Sequence, residues 1–240
     1  MGICIGTSGW HYAHWKGPFY PRRLNSAELL TYYAAQFDCI EVNSSFYRLP
    51  TQDTVAQWLN QVPPRFSFSL KASRYITHMK KLKDAAEPLW AFLRIADLFG
   101  DQLGTVLFQL PPHWKVNTER LAMFLALLPG DRHFAFEFRD PSWHTQAVAQ
   151  LLREHGVAFC QFDLDGLTSA PIVTGDRVYV RLHGPEHAYS GSYTKAVLQA
   201  WADRLQVWQV QGRDVLVFFD NDQGGQAVRD ARRLRELVSA

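Results

Sequence analysis

Glu137 and Arg139 stand two residues apart at the end of an alternating run, Phe134-Ala-Phe-Glu-Phe-Arg139. Residues at that spacing share one face of a strand. A carboxylate and a guanidinium placed side by side can bind an anion, move a proton or neutralise each other. The same spacing recurs at Glu41/Asn43, Lys71/Ser73, Gln161/Asp163, Arg181/His183 and Asp220/Asp222, with Gln109 as a single member. The residues between them, such as Val42, Phe138, Phe162 and Leu182, are mainly apolar and suit the opposite face.

Glu41 and Glu137 form the candidate acid/base pair, with His183 as a third titratable group. Two carboxylates facing one interior push their pKa values apart, leaving one to donate a proton and one to accept it. Lys71, Arg139 and Arg181 are then expected to hold an anionic group or an enolate-like charge, with Asn43, Gln109, Asp163 and Asn221 as further polar contacts. Trp10, Tyr47 and Trp143 follow strands on the same side and offer faces on which a sugar stacks. A packed aromatic lid over the site accounts for most such rings equally well.

The sequence requires no cofactor. Glu41, Glu137, Asp163, His183 and Asp220 could ligate Mg²⁺ or Mn²⁺, although three cations in the same interior oppose a divalent ion. The loops His183–Tyr193 and Asp220–Gly225 have glycines that suit a phosphate, and Asp220 and Asp222 oppose it. No nucleophile elbow supports Ser-His-Asp chemistry. Cys4, Cys39 and Cys160 lie in apolar runs without CxxC spacing, which reads as reduced, inert thiols of a cytoplasmic protein.

Eight strand-like runs must position these residues: Ile3–Thr7, Cys39–Asn43, Phe66–Lys71, Thr105–Leu110, Phe134–Arg139, Ala158–Asp163, Val178–His183 and Val215–Asp220. Helical patterns lie between most of them, opened by Asn25-Ser26, Thr51, Asn117 and Asp140-Pro141 and closed by Gly100, Pro129-Gly130 and Gly156. The sixth connection, Leu164 to Asp176, lacks a regular helix. Alternating strands and helices imply a parallel sheet with right-handed crossovers. Eight units in 240 residues match a TIM-type (β/α)8 barrel in one domain, residues 1–240. Hydrophobic residues make up 47% and charged residues 20%, a globular composition with no run long enough to span a membrane. The net charge of +2 is too small to indicate nucleic acid by itself.

Several ordered blocks carry a family resemblance. They are Ile5-Gly-Thr-Ser-Gly-Trp10, Glu41-Val-Asn-Ser-Ser-Phe-Tyr-Arg-Leu-Pro50, Phe68-Ser-Leu-Lys-Ala-Ser73, Ile76-Thr-His78, Phe108-Gln-Leu-Pro-Pro112, Glu137-Phe-Arg-Asp-Pro-Ser-Trp143, Tyr179-Val-Arg-Leu-His-Gly184 and Phe218-Phe-Asp-Asn221. Together they resemble the YecE-like family, a domain of unknown function. The resemblance implies a TIM-barrel-like fold and a loose grouping with sugar isomerases, but no established reaction. Relatives often read Phe-Asn-Asn where this chain has Phe219-Asp220-Asn221, which sets Asp220 apart.

Two functional expectations follow. One is an enzyme acting on a polar or anionic, sugar-like small molecule by carboxylate acid/base chemistry, isomerising or hydrolytic. The other is a non-catalytic protein that recognises an anion or nucleic acid through Lys71, Arg139, Arg181 and the aromatic rings; a steep salt dependence would mark the nucleic-acid case.

Overall fold

A computed structural model describes residues 2–185 and 187–239, so Glu186 of the seventh-strand loop lies outside them. All eight expected strand positions carry strands: β1 (Ile3–Thr7), β2 (Cys39–Val42), β3 (Ser67–Lys71), β4 (Leu103–Leu110), β5 (Phe134–Phe138), the pair β6 (Ala158–Phe159) and β7 (Gln161–Leu164), then β9 (Arg177–Leu182) and β10 (Asp214–Phe219). The short β8 (Leu167–Thr168) folds back antiparallel on β7, in the crossover that carries no helix.

The strands close into a (β/α)8 barrel made of two arcs. One arc runs β2-β3-β4-β5-β6, and the other runs β1-β10-β9-β7 with β8 at its edge. At the first seam the ladder between β1 and β2 is reduced to a bridge from Ser8 to Glu41. At the second seam the sixth strand itself crosses over. Its first half pairs with β5, its second half with β9, and Cys160 N–H donates to Phe136 O at 2.8 Å where the partner changes.

A tyrosine hydroxyl supplements the first seam. Thr7 N–H donates to Tyr33 Oη at 2.9 Å, and the same hydroxyl donates to Cys39 O at 3.1 Å. Gly6 makes this approach feasible, because a Cβ there would collide with the Cys39 carbonyl. Buried backbone groups left without partners cost about 1–3 kcal/mol each. Tyr33→Phe is therefore expected to lower stability by about 2–4 kcal/mol, read as the shift of the urea midpoint. A variant with an unchanged midpoint would show that the seam does not depend on this bridge.

Outside the barrel lie α1 (Leu29–Ala34), α2 (Ser44–Tyr47), α3 (Gln52–Leu59), α4 (Ala86–Ala96), α5 (Thr118–Leu125), α6 (Gln146–Glu154), α7 (Lys195–Val210) and α8 (Gln226–Ser239). The side chains of Thr51, Asn117, Thr145 and Thr194 cap α3, α5, α6 and α7 by accepting from the third residue on. The helix expected from Pro141 to His155 is interrupted. Asp140 caps only a 3₁₀ turn, Pro141–Trp143, before the chain breaks at His144 and restarts as α6. Phe134, Phe136 and Phe138 face this shell, with Phe136 stacked on Phe108 at 5.1 Å and Phe138 on Trp143 at 5.0 Å.

Inside, the lower lumen is filled by Cys39, Leu107, Ala135, Ala158, Cys160, Tyr179, Leu216 and Phe218. In-register partners point the same way, so this layer sets the direction of every residue above it. Ala158 lies opposite Ala135, and Phe162 lies opposite Arg181. The lumen residues of the sixth strand are thus Ala158, Cys160 and Phe162, not the expected Gln161 and Asp163. Gln161 instead bonds outward to the carbonyl of Ile172. Among the described residues no helix is long and apolar enough to cross a membrane.

Candidate functional site

The polar layer sits at the C-terminal ends of the strands, the end at which barrels of this architecture carry their sites. Arg181 is its centre and is fully buried. Nε donates to both oxygens of Glu41 at 3.0 Å, Nη2 to Glu41 Oε1 at 2.7 Å and to Asp220 Oδ2 at 3.1 Å. Nη1 donates to Glu137 Oε2 at 2.8 Å and faces His183 Nε2 at 3.3 Å. A guanidinium has five N–H donors, and here each has an acceptor. The substrate-binding role expected for Arg181 is therefore corrected: it has no donor left for a ligand.

Glu41 is equally enclosed. Ser8 Oγ donates to it at 2.6 Å and Tyr179 Oη at 2.7 Å, in addition to Arg181. Glu137 takes Arg181 on one oxygen and Arg139 Nε on the other. Burial by itself would raise the Glu137 carboxyl, but the charges of Arg139 and Arg181 outweigh it and hold the group well below the usual carboxylate range. Asp220 is held low in the same way, burial being overcome by Arg181, His183 and Lys71. The expected donor carboxyl is thus not found at Glu137, which stays ionised as a counter-ion.

His183 is buried, with Nδ1 2.9 Å from Asp220 Oδ2 and Nε2 facing Arg139 Nη2 at 3.1 Å. Guanidinium groups cannot accept, so Nε2 is the acceptor and the proton sits on Nδ1, toward Asp220. Tyr189 covers this ring edge-on at 5.8 Å. The carboxylates considered as metal ligands surround a guanidinium, and Asp163 lies on the outer side of its strand. Among the described residues no group of three or more His, Cys, Asp or Glu side chains is arranged to hold a metal ion.

Four polar groups above Arg181 have capacity to spare. Arg139 is bonded through Nε and Nη2, and its guanidinium lies 5.4 Å from the Phe162 ring; Nη1 has no partner among the described residues. With Gln109, Asp140 and Tyr189 it lines a cavity of about 610 Å³. Asn43 donates weakly to Asp220 Oδ1 at 3.4 Å, while its own Oδ1 is buried without a partner. It also lines a second cavity of about 340 Å³ together with Trp10, Tyr12 and Trp58.

Lys71 is the fourth. Its Nζ lies 4.5 Å above the Phe46 ring and forms no ion pair among the described residues. Burial and, next, the charge of Arg181 bring its pKa down to about 8, against the pull of Asp220, Glu137 and Glu41. His78 packs edge-on against the same Phe46 ring at 4.9 Å, with Nδ1 2.9 Å from Thr77 Oγ1. Burial and the charges of Lys71, Arg74 and Arg139 bring His78 down to about 4, so it is neutral at physiological pH.

Among the remaining expected residues, Trp10 borders the smaller cavity, edge-on to Trp58 at 5.2 Å, and Tyr47 is 74% exposed beside Phe46. Trp143 and Asn221 are corrected. Trp143 is fully buried, stacked on Phe138, with its indole N–H bonded to Trp114 O at 2.6 Å. Asn221 turns outward at the strand's end to donate to Gly191 O and Asp230 Oδ2, tying β10 to α8. Asp163 is half-buried on the outer side of the sixth strand, where burial raises its carboxyl. His78 and Tyr189 were absent from the candidate set, whereas Phe46 is one of the aromatic rings expected just after a strand on the site side. His78 sits on the short turn after β3, which has no regular helical periodicity to reveal it.

Fold and site together define a (β/α)8 barrel with a buried ion-pair layer and a polar mouth. Residues 4–240 match the model of the family described as "Protein of unknown function DUF72", and the chain belongs to that family. It is similar to UPF0759 protein YunF of Bacillus subtilis, 26% identical over 269 residues, covering 98% of this chain and 94% of that protein. UPF0759 protein YecE of Escherichia coli is 27% identical over 156 residues, 65% of this chain and 55% of YecE. The crystal structure of a DUF72 family protein from Thermotoga maritima superposes over 100% of both chains with a TM-score of 0.90 at 28% identity. One from Enterococcus faecalis shares the fold, with a TM-score of 0.85 at 19% identity, covering 100% of this chain and 96% of that one. The family's reaction is uncharacterised.

Proposed function

We propose that the barrel mouth binds a small anionic, sugar-like molecule and acts on it as an enzyme, with Lys71 and Arg139 holding the anion and Gln109 and Asn43 orienting it. The observation that carries this reading is Lys71: a cation in a layer with three carboxylates, yet in ion-pair contact with none of them. Arg181 holds all three carboxylates, so the Lys71 ammonium is left without a close anion, a place that a ligand's anionic group would fill. Acid/base work moves with it from Glu41 and Glu137 to Lys71 and His78, whose pKa values of about 8 and about 4 bracket neutrality.

The test is calorimetric titration with ribose 5-phosphate, glycerol 3-phosphate and gluconate. At least one is expected to bind, and Lys71→Met is expected to weaken it tenfold or more, about 1.4 kcal/mol. Exposed Lys83→Met serves as the control and should leave binding unchanged. Equal affinity in Lys71→Met and the unsubstituted protein would remove Lys71 from the ligand site.

A further inference from the structure

We infer that the Lys71 amine is a carbonyl-reactive nucleophile, so that the ligand class of this mouth is a small anionic aldehyde or ketone held as a Schiff base. This rests on the ligand site proposed above and specifies its chemistry. Three observations support it.

The amine is unpinned. An ammonium bonded to a carboxylate must break that pair before its lone pair is free, whereas Lys71 faces an aromatic ring and no anion within ion-pair distance. Its stem rises from the end of β3, and the residue is half-buried, not enclosed like Arg181.

The surroundings favour the neutral amine. Acting on it are Glu41 from β2, His78 from the turn after β3, Glu137 from β5, Arg181 from β9 and Asp220 just after β10, and its Nζ lies over the Phe46 ring of α2. Burial and Arg181 outweigh the carboxylates. About one amine in ten is neutral at pH 7, against about one in a few thousand for an ordinary lysine.

A proton carrier is adjacent. His78 shares the Phe46 ring with Lys71 and stays neutral, with Nε2 free of protein partners among the described residues. The step balances without any redox partner. The amine lone pair forms the N–C bond as the carbonyl π bond breaks, and His78 takes one proton from the nitrogen and delivers it to the oxygen, giving a neutral carbinolamine. The C–O bond then breaks as the nitrogen lone pair forms the C=N bond, and the remaining N–H proton passes by way of His78 to the departing hydroxyl, which leaves as water. Lysine and carbonyl compound are thus converted to imine and water. Arg139 is placed to hold the anionic end of the same molecule.

The experiment is borohydride trapping with peptide mapping. The folded protein is treated with sodium borohydride and either pyruvate or dihydroxyacetone phosphate, with lactate and glycerol 3-phosphate as carbonyl-free counterparts. One adduct per chain is expected, on the Lys71 peptide, with a mass increase equal to the carbonyl compound less one oxygen. The counterparts should give none and should slow trapping by competition. Formaldehyde with borohydride at pH 7 provides a readout independent of ligand identity: Lys71 is expected to be labelled about tenfold faster than surface lysines. Labelling of Lys71 no faster than the surface lysines would overturn the inference. Calorimetric binding of glycerol 3-phosphate without preferential labelling would overturn it and leave the anion site standing. Preferential labelling without anion binding would do the reverse. Lys71→Arg, which keeps the cation and removes the nucleophile, is expected to retain anion binding and lose the adduct.

Discussion

Arg181→Met is expected to destabilise the barrel by about 3–5 kcal/mol at pH 7, the range found when one partner of a buried ion pair is removed. The reason is the set of groups left behind. Glu41 and Glu137 have no exposure, Asp220 is 6% exposed, and all three are bonded to Arg181. Without it, Glu41 keeps Ser8 and Tyr179, Glu137 keeps Arg139, and Asp220 keeps His183, but the charge of the layer is no longer balanced. The loss should shrink in acid, because an unpaired buried carboxylate takes up a proton more readily than a paired one. Urea unfolding at pH 7 and pH 5 measures both effects. A cost below about 1 kcal/mol at pH 7, or one that does not change with pH, would place the layer among weakly coupled ion pairs. Adding Glu41→Gln to Arg181→Met should recover part of the loss, since it removes one of the stranded charges.

The second large effect is acid lability of the unsubstituted protein. Glu137 and Asp220 have folded-state pKa values below their unfolded ones. Each therefore binds more protons when unfolded, and each contributes stability that is full above its unfolded pKa, near 4.5 for Glu137 and 3.8 for Asp220. That contribution is lost as pH falls through the folded pKa. Each can add a slope of up to about 1.4 kcal/mol per pH unit in this window. Asp163 and Asp222, raised by burial, act in the opposite sense as pH climbs past the ordinary aspartate range. Net loss of stability is expected below about pH 4.5, followed by circular dichroism during acid titration. Glu137→Gln should flatten the profile; an unchanged profile would remove Glu137 as a source of the slope.

The alternating pattern was enough to locate the strands and the polar layer, because period-two alternation survives wherever the register is regular. At Glu137 and Arg139 it placed both side chains correctly. It failed on the sixth strand, where a change of partner at Cys160 and the small lumen residues Ala135 and Ala158 decide which face turns inward. It also could not rank the charges. That Arg181 saturates the carboxylates while Lys71 is left unpaired depends on distances between five strands, none of which is local in sequence. Trp143 misled for a different reason: an aromatic ring after a strand serves a mouth or a core, and the broken helix at His144 turned this one inward.

Arg181, His183 and Asp220 belong to one arc of the barrel, while Glu41, Lys71, Glu137 and Arg139 belong to the other. The guanidinium at the centre is therefore a clasp between two half-rings that share only a thin ladder at one seam and a single crossing strand at the other. Before the arcs meet, neither holds the full set of opposite charges; afterward, parting them means breaking the pairs of Arg181 with Glu41 and Glu137. Ring closure and maturation of the mouth are consequently one event. A chain whose halves have folded but not joined carries only part of the Lys71 environment: Phe46, His78, Glu41 and Glu137 lie on its own arc, while the Arg181 charge that helps to lower that amine arrives only with the opposite one.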